Sequence, residues 1–554
     1  MVQFFEAHKD TLFQAVKTSK ARDYWSAYPE IASGKIYGET AKDDQAAEFE
    51  ALMDKPFALG QPTNGNWVGA ETSPYGKALG VTYEDASVED VIAASKAAGK
   101  SWASASVEDR VGVALEMLNR VNKKSFLIAN AVMHTSGQAF MMAFQAGGPH
   151  AQDRGLEAVA YAYDAMTQTP KEVTWTKPQG KHDPIVLDKK FRVVPRGVAL
   201  VIGCATFPTW NTYPGMFASM VTGNSVIIKP HPMAILPMAI TIQIGREVLK
   251  EAGFDPNVLM LAADTADNPK TKGFVSSEEV NIIDFTGSNT FGQWVRDNAG
   301  NAQVYTEEAG VNAITIHSTD NLRGMASNIA FSLSLYSGQM CTTPQNIFVP
   351  RDGIETNDGK KSFEEVAEAI KVSLDKLLGD PARAAAILGA VQNPTTLDRI
   401  FAAGKLGKLI RSSEPVEGMN GARSATPTVV AVDSKNEEAY MQERFGPISF
   451  IIACDDIDDA IARAAGSAKS HGAITAALYS TSEDVIDKAV DAYAWAGAPL
   501  SVNLTGNIYV NQSAAYSDFH VTGANPAGNA SLTDGAYVAN RFRIATVRRQ
   551  AAVG

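Results

Sequence analysis

The chain has 554 residues, enough for about three to four domains of ordinary size and for a large core without disulfide or metal. Its 49 Lys and Arg against 61 Asp and Glu give a net charge of −12, which disfavours a broad nucleic-acid-binding surface. Three cysteines and eight scattered histidines form no C-x-x-C or H-E-x-x-H pattern, so we predict neither a disulfide framework nor a metal site.

The N-terminal third mixes irregular and helical patterns. Residues 1–85 are polar and aromatic with Gly and Pro near 58–80, and we expect an irregular layer there. Apolar residues recur every three to four positions over 87–133, which predicts helices. The sequence AGKS at 98–101 lies inside that helical pattern and lacks the first glycine of a P-loop. No apolar run approaches the ~18 residues of a membrane span, and no signal peptide is evident, so we expect a cytoplasmic protein.

After Phe191 short apolar runs alternate with helical ones, which is typical of parallel sheets covered on both faces. We expect a break near residue 310, with residues 1–310 and 311–505 forming two α/β domains and 506–554 a tail. The predicted strands are RVVPRGVALVIG, NSVIIKP, NVLML, VNIIDF, AITIHS, QNIFVP, PISFIIAC and AITAALYS, and the predicted helices cover 235–253, 320–336, 363–378, 457–468 and 483–493.

Two segments could hold an anionic ligand. The turn DFTGSNTFG places Gly287, Ser288 and Gly292 between a strand and a helix beginning near Asn289, where free N–H groups attract a phosphate. An ordinary strand–helix turn is the alternative. Lys229 ends a predicted parallel strand and would point into the ligand crevice, unless it is simply solvated.

One cysteine differs from the other two. Cys204 and Cys454 lie in apolar runs and are expected to be buried, whereas Cys341 lies in the polar loop sequence YSGQMCTTPQ, as a nucleophile requires. Glu307 and Glu308 follow an apolar strand, where one carboxylate could act as a general base. Since neighbouring strand residues point to opposite faces, we expect Glu308 to be solvated.

Six motifs in order resemble those of the aldehyde dehydrogenase superfamily. The resemblance covers nearly the whole chain and implies an α/β fold with two parallel-sheet domains, one cofactor-binding and one catalytic, plus an oligomerisation arm. The long N-terminal layer, KPHP and the ending VTGANPAGNASLTDG more narrowly resemble the phenylacetic acid degradation (PaaN) type. The six motifs are Thr209-Trp210-Asn211, Ile228-Lys229-Pro230, Gly287–Gly292 with Asn289 in place of the usual Thr, Glu307–Asn312, Gly338–Thr342 and Glu443–Pro447.

The resemblance implies aldehyde oxidation through a Cys341 thiohemiacetal and thioester. Asn211 and the Cys341 N–H would stabilise the oxyanion, and Glu307 would activate water. CoA-acylating relatives usually lack that carboxylate, so its presence favours hydrolysis. NAD-preferring members commonly carry Glu where this chain has Pro232, so we expect NADP, with NAD as the alternative. The residues expected to bind the cofactor are Lys229, His231, Gly287, Ser288, Gly292, Trp210, Glu443 and Phe445.

The narrower resemblance suggests a CoA-linked semialdehyde of phenylacetate degradation as substrate. The alternatives are a broad-specificity or CoA-acylating aldehyde dehydrogenase and a cofactor-binding scaffold without turnover. Some relatives carry a fused hydratase, and we expect none here, although a separate enoyl-CoA hydratase is a candidate partner. A homodimer or a dimer of dimers is expected, with residues 170–192 and the tail as the interface.

Overall fold

The computed structural model describes residues 2–551, and its N-terminal part is mostly helical. The expectation of an irregular layer over 1–85 is wrong for its two longer helices, of which α1 packs against α5 and α8. Phe5, Leu12 and Ala15 of α1 are buried, so one face of that helix belongs to the core. The elements are α1 (Val2–Ala21), α2 (Gly34–Tyr37), α3 (Ala41–Leu52), β1 (Pro56–Phe57), β2 (Trp67–Val68) and β3 (Thr82–Glu84).

The helices predicted over 87–133 are confirmed. Ser87 and Ser106 accept hydrogen bonds from the backbone N–H groups of Asp90 and Asp109, which caps α4 and α5. The AGKS sequence lies within α4, not in a phosphate loop. This layer contains α4 (Val88–Ser104), α5 (Val107–Lys123), α6 (Ser125–Ser136), α7 (Phe140–Gln145), a π-helical turn at Ala146–His150 and α8 (Ala151–Thr167).

A long hairpin separates these helices from a five-stranded parallel sheet. The hairpin is β4 (Glu172–Gln179) and β5 (His182–Pro195), and the sheet has the order β10-β9-β6-β7-β8. Strands β6 to β8 are buried along their whole length, as the apolar runs predicted. The elements are β6 (Val198–Ile202), α9 (Thr212–Val221), β7 (Ser225–Lys229), α10 (Leu236–Glu251), β8 (Leu259–Leu261), α11 (Thr271–Val275), β9 (Val280–Thr286), α12 (Asn289–Asn298) and β10 (Gln303–Glu307).

A second, seven-stranded sheet follows, with the order β16-β17-β18-β13-β11-β19-β20 and one antiparallel edge strand, β16. Strands β12, β14 and β15 form a small separate sheet. The elements are β11 (Ala313–Ile316), β12 (Ser318–Thr319), α13 (Leu322–Ser334), β13 (Asn346–Pro350), β14 (Ile354–Thr356), β15 (Gly359–Lys361), α14 (Phe363–Leu378), α15 (Pro381–Leu388), α16 (Thr395–Ala403), β16 (Lys408–Arg411), β17 (Thr428–Asp433), α17 (Glu437–Tyr440), β18 (Ile448–Cys454), α18 (Ile457–His471), β19 (Ala476–Tyr479), α19 (Glu483–Ala496) and β20 (Leu500–Val502).

The C-terminal tail returns to the first half of the chain. It contains α20 (Gly535–Ala539) and β21 (Phe542–Gln550), and β21 pairs with β5. The buried Arg541 guanidinium binds the Asp284 carboxylate at 2.6 Å, which fixes the tail to β9. The break predicted near residue 310 falls between β10 and β11, and the domain boundaries themselves stay a prediction. Across residues 2–551, no helix combines the length and apolarity that crossing a lipid bilayer requires.

Candidate active site

Cys341 follows a strained turn that joins α13 to the cysteine loop. Three successive residues, Tyr336, Ser337 and Gly338, have φ values of 52°, 51° and 63°, a region that non-glycine residues rarely adopt. Neighbouring segments hold the turn: the Ser337 hydroxyl donates to the Leu388 carbonyl at 3.0 Å. The strain is therefore compensated by contacts outside the loop, and the position of Cys341 is defined by the surrounding fold.

Asn312 ties the cysteine loop to the second sheet. Its side-chain N–H₂ donates to the carbonyl oxygens of Cys341 at 2.7 Å and Thr343 at 2.9 Å. Its side-chain oxygen accepts from the N–H groups of Ile474 and Thr475 at 2.8 and 3.0 Å. One amide side chain thus satisfies four backbone groups and holds the loop over the edge where β11 begins.

Glu307 and Asn211 meet in front of the cysteine. Glu307 is the last residue of β10, and Asn211 is the residue that precedes α9. The Asn211 amide donates from Nδ2 to Glu307 Oε2 at 2.8 Å, and its Oδ1 lies 3.6 Å from the Cys204 sulfur. The three residues that the sequence analysis assigned to catalysis are brought together, and Cys204, expected only as an apolar core residue, lies beside them.

His520 also belongs to this cluster and was not predicted from the sequence. This residue of the tail is 3 % exposed, and its Nε2 lies 3.0 Å from Glu307 Oε1 and 3.7 Å from Cys341 Sγ. The thiol, the imidazole and the carboxylate offer atoms that all lie within 4.8 Å of one another. No spacing signal could have revealed this, because 179 positions separate the histidine from the cysteine.

The charges in this cluster are strongly coupled. Burial by itself would raise the pKa of Glu307, but the His520 imidazole, the Cys341 thiol and the Asn211 amide beside it hold that pKa below its usual value. Burial and the neighbouring Glu307 carboxylate raise the pKa of the Cys341 thiol well above its usual value. The carboxylate therefore carries the negative charge of the resting cluster, and the sulfur keeps its proton.

Strand alternation predicts a solvated Glu308, and this prediction is wrong: the residue is only 3 % exposed. Strand β10 ends at Glu307, so the alternation does not extend to Glu308. Its carboxylate pairs with the Arg296 guanidinium of α12. A Cβ at Gly292 would come within 2.4 Å of that carboxyl carbon, so the glycine makes room for the pair.

Lys229 ends β7 as predicted, but its charge is already paired. Its ammonium lies 2.7 Å from Asp264 Oδ1, and the two side chains are 3 % and 2 % exposed. Burial, and then the neighbouring Lys229 charge, lower the pKa of His231 to about 4, so this imidazole is uncharged at neutral pH. This end of the sheet therefore offers hydrogen bonds but little free positive charge.

The glycine turn after β9 has the predicted strand–turn–helix form. The Ser288 hydroxyl oxygen accepts from the Phe291 N–H and caps α12, which begins at Asn289. Gly287 donates its N–H to the Glu307 carbonyl at 3.1 Å, so this group is not free for a phosphate. The N–H groups of the first turn of α12 remain as an anion-binding end.

Glu443 and Phe445 line a pocket beside the cysteine loop, together with Gly338 and Met340. Burial raises the pKa of Glu443 to about 7, against the opposing effect of the Gly310 N–H. Trp210 packs edge-on against His520, with ring centroids 4.5 Å apart. The residues at this pocket and at the ends of β7 and β9 fit a nicotinamide dinucleotide, since they combine an apolar face, a hydroxyl-accepting carboxylate and a helix N-terminus.

Known proteins match this chain over most of its length. The model of the aldehyde dehydrogenase family matches residues 70–541. The structure of an NAD-dependent aldehyde dehydrogenase from Burkholderia multivorans is 52 % identical with a TM-score of 0.98, covering 100 % of this chain and 99 % of that one. A variant of Thermus thermophilus 1-pyrroline-5-carboxylate dehydrogenase shares the fold at 18 % identity, with a TM-score of 0.74 over 96 % of this chain and 99 % of that one.

A curated relative is the benzaldehyde dehydrogenase [NAD(+)] of Pseudomonas putida. It is 24 % identical over 423 residues, which cover 74 % of this chain and 81 % of the relative. The family model alone spans more than half of the sequence, and the Burkholderia structure matches the whole of it. The chain belongs to the aldehyde dehydrogenase family.

Proposed function

We propose that the chain oxidises an aldehyde to a carboxylic acid through a covalent Cys341 intermediate, with water releasing the product. The observation that carries this proposal is the Glu307 carboxylate, bound to the Asn211 amide at 2.8 Å and close to the cysteine. A carboxylate with a lowered pKa is a ready proton acceptor at neutral pH. An enzyme that used CoA as the acyl acceptor would have no need of a base placed beside the thioester.

In the first half of the reaction the Cys341 thiolate attacks the aldehyde carbon. The oxygen of the resulting thiohemiacetal takes hydrogen bonds from the Cys341 N–H and the Asn211 amide. Asn211 Nδ2 has two hydrogens, so one remains for the substrate while the other is donated to Glu307. A nicotinamide cofactor, held by Glu443 and Phe445, would supply the hydride acceptor, and loss of hydride from the substrate carbon would leave a Cys341 thioester.

In the second half Glu307 removes a proton from water, and the water oxygen attacks the thioester carbon. The tetrahedral oxyanion uses the same two donors as before. Collapse breaks the carbon–sulfur bond, releases the acid and returns the sulfur of Cys341. Asn211 and His520 each take one acceptor site of the resting carboxylate, on Oε2 and Oε1, so Glu307 keeps free lone pairs to accept the proton of the water.

For the cofactor we propose NAD, with NADP as the second candidate. The expectation of NADP depended on the missing carboxylate at Pro232, but Asp264 places one 2.7 Å from the Lys229 ammonium. That pairing neutralises the charge that would attract a 2′-phosphate, and His231 is uncharged. The name of the Burkholderia multivorans relative supports the same choice. Glu443 would hold the nicotinamide ribose, and Phe445 would cover the ring.

For the substrate we propose a CoA-linked semialdehyde of phenylacetate degradation. This rests on the resemblance of the N-terminal layer, the KPHP sequence and the C-terminal sequence to enzymes of that type. A free aromatic aldehyde is the competing candidate, since the Pseudomonas putida relative is named for benzaldehyde. Comparing kcat/KM for the two substrate classes decides between them.

We further propose a homodimer or a dimer of dimers built on the hairpin arm. All eight residues of β4 are exposed, and β21 is exposed beyond Phe542. Large apolar side chains on this small sheet, such as Trp175 and Val547, face solvent, which is typical of a surface that is covered in an oligomer. We propose in addition that residues 1–310 form the cofactor-binding half and residues 311–505 the catalytic half, divided between β10 and β11.

A steady-state assay tests the proposed reaction. Purified protein, an aldehyde and either NAD or NADP should give reduced cofactor without free CoA, and C341A should lower the rate by at least about 1000-fold. Cys454 is buried in β18 and supplies the matched control, so C454A should keep its activity. A requirement for CoA would contradict hydrolysis, and equal rates for C341A and the unchanged protein would contradict covalent catalysis.

A further inference from the structure

Hydrogen bonds from a buried arginine hold the segment that carries His520 in place. The buried Arg154 guanidinium of α8 donates to the Ser513 hydroxyl at 2.6 Å and to the Asp518 carbonyl at 3.2 Å, on the segment just before the histidine. Glu157 balances the arginine charge at 2.8 Å. Helix α8 therefore helps to set the position of a side chain that contacts the cysteine.

The hydrogen-bond geometry places a hydrogen on Nε2 of this histidine. Nε2 faces two acceptors, Glu307 Oε1 at 3.0 Å and Cys341 Sγ at 3.7 Å. Nδ1 is buried and has no hydrogen-bond partner among residues 2–551. A lone pair on Nε2 would face the carboxylate lone pairs, so the tautomer with Nε2–H is favoured, as it also is in the imidazolium.

We propose that His520 is a positioning residue that shares its Nε2 hydrogen between Glu307 and Cys341. In the resting enzyme it donates to the Glu307 carboxylate and keeps that base ionised beside the thiol. When the cysteine ionises, the hydrogen turns to the sulfur and stabilises the thiolate. The donor thus follows the negative charge from oxygen to sulfur. This inference rests on the proposed function, in which Cys341 is the nucleophile and Glu307 the base.

The proton balance of this step needs no further reactant. The Cys341 S–H bond breaks and its proton passes to the Glu307 carboxylate, whose oxygen lies within 4.8 Å of the sulfur. The sulfur gains the negative charge that the carboxylate loses, and the proton goes to solvent before Glu307 acts on water. The other titratable groups near this cluster are Cys204, Glu443 and, over the Trp210 ring, Arg154.

Alkylation of Cys341 without cofactor or aldehyde tests the proposal. H520F keeps the aromatic packing against Trp210 but removes the donor, whereas H520Q places an amide N–H near the Nε2 position. The rate of iodoacetamide labelling at Cys341 is followed against pH by peptide mass spectrometry. We expect H520F to lower the rate at neutral pH by about tenfold and to move the profile up by about one pH unit. H520Q should stay within about threefold of the unchanged protein, since a donor to the thiolate is retained.

Two results would overturn the proposal. If H520F labels like the unchanged protein, the histidine has only a packing role. If H520Q labels like H520F, a retained N–H donor does not stabilise the thiolate, and the donor role is wrong. His134, stacked on Phe49 at 5.1 Å, supplies the control H134F, which should leave the labelling profile unchanged. H520N, whose shorter amide reaches neither partner, gives a second donor-free variant if H520F melts early. Labelling uses no aldehyde and no cofactor, so its result does not depend on the oxidation assay. A wrong role for His520 would appear in the labelling rates, whereas a wrong proposed function would appear as activity retained by C341A.

Discussion

Three glutamates near the cysteine differ in charge because their neighbours differ. Glu307 is surrounded by hydrogen-bond donors, and its pKa is lowered. Glu308, the next residue, is neutralised by Arg296. Glu443 lies in the pocket with few partners, and burial raises its pKa to about 7. The surroundings therefore give one side-chain type three roles: Glu307 can act as a base, Glu308 forms a structural ion pair, and Glu443 is a pocket carboxyl group that titrates near neutral pH.

The raised pKa of Glu443 predicts a pH-dependent affinity for the cofactor. Its usual value of 4.5 is raised to about 7, so the group is a carboxylate at pH 8 and mostly protonated at pH 6. The protonated form is the weaker acceptor for ribose hydroxyls. We expect the Kd for NAD, measured by fluorescence titration, to rise about three- to tenfold as the pH falls from 8 to 6, with a midpoint near 7.

E443Q should remove the pH dependence of the Kd for NAD. The variant should bind NAD at every pH about as weakly as the unchanged protein does at pH 6. Glu438 is exposed and close in sequence, so E438Q is the matched control and should keep the full dependence. A Kd that is flat with pH in the unchanged protein, or a slope that survives in E443Q, would show that Glu443 does not contact the cofactor.

At the residue level, the sequence predicts the residues that react, but not the residue that contacts both of them. Cys341 and Glu307 stand in short motifs whose polar neighbours indicate chemistry. His520 stands between Phe519 and Val521, outside any recognised motif and far from both in sequence, so only the tertiary fold brings it to the site. Glu308 was predicted to be solvated from strand alternation, and that argument fails because the strand ends one residue earlier.

Among the elements, the turn before Cys341 is the one on which the site depends most. Gly338 adopts φ of 63°, and a Cβ there would lie 2.4 Å from the Gly446 carbonyl oxygen. Since Gly446 belongs to the segment that carries Glu443 and Phe445, the glycine allows two parts of the site to meet.

G338A should therefore be destabilised by about 2–4 kcal/mol, from the left-handed backbone and the overpacking together. We expect a lower Tm in differential scanning calorimetry and a loss of oxidation rate of at least about tenfold. The rate falls because the cysteine and the Glu443 segment move apart.

Gly466 gives the control for the glycine change. It is an exposed residue inside α18 with nothing within 4 Å of an added Cβ. G466A should raise stability slightly, by about 0.5–1 kcal/mol, because alanine is the better helix former. If G338A melts and turns over like the unchanged protein, the close approach of the two segments has no part in the site.

The alternation of apolar strands with helices is what made most elements predictable. Helix α14 spans Phe363–Leu378, the range that its periodicity predicts, and the predicted parallel strands are present. The N-terminal helix α1 falls in the segment predicted to be irregular, because residues 1–85 mix polar and aromatic residues and carry Gly and Pro near 58–80. Its stability comes from packing against α5 and α8, which periodicity in one segment does not reveal.

In the whole molecule, the tail connects regions that are far apart in sequence. It contributes His520 to the site, pairs Arg541 with Asp284 under the first sheet and adds β21 to the hairpin arm. An interface role for the tail is predicted from the sequence, but its contribution to the site is not, because the composition of the tail carries no periodic signal. The whole chain is therefore needed to assemble the cysteine, the base and their support.

Covalent catalysis followed by hydrolysis is most directly tested by trapping the thioester. E307Q keeps an amide near Asn211 and His520 and removes the base. It also removes the negative charge that raises the pKa of the Cys341 thiol, so the thiol can lose its proton to solvent and acylation should proceed, whereas release by water should be slow. Intact-protein mass spectrometry of E307Q, mixed with aldehyde and NAD, should show one acyl group, which peptide analysis places on Cys341. Reduced cofactor should appear as a burst of about one equivalent per site. Steady turnover by E307Q at the unchanged rate, or an enzyme that carries no acyl group, would contradict the account.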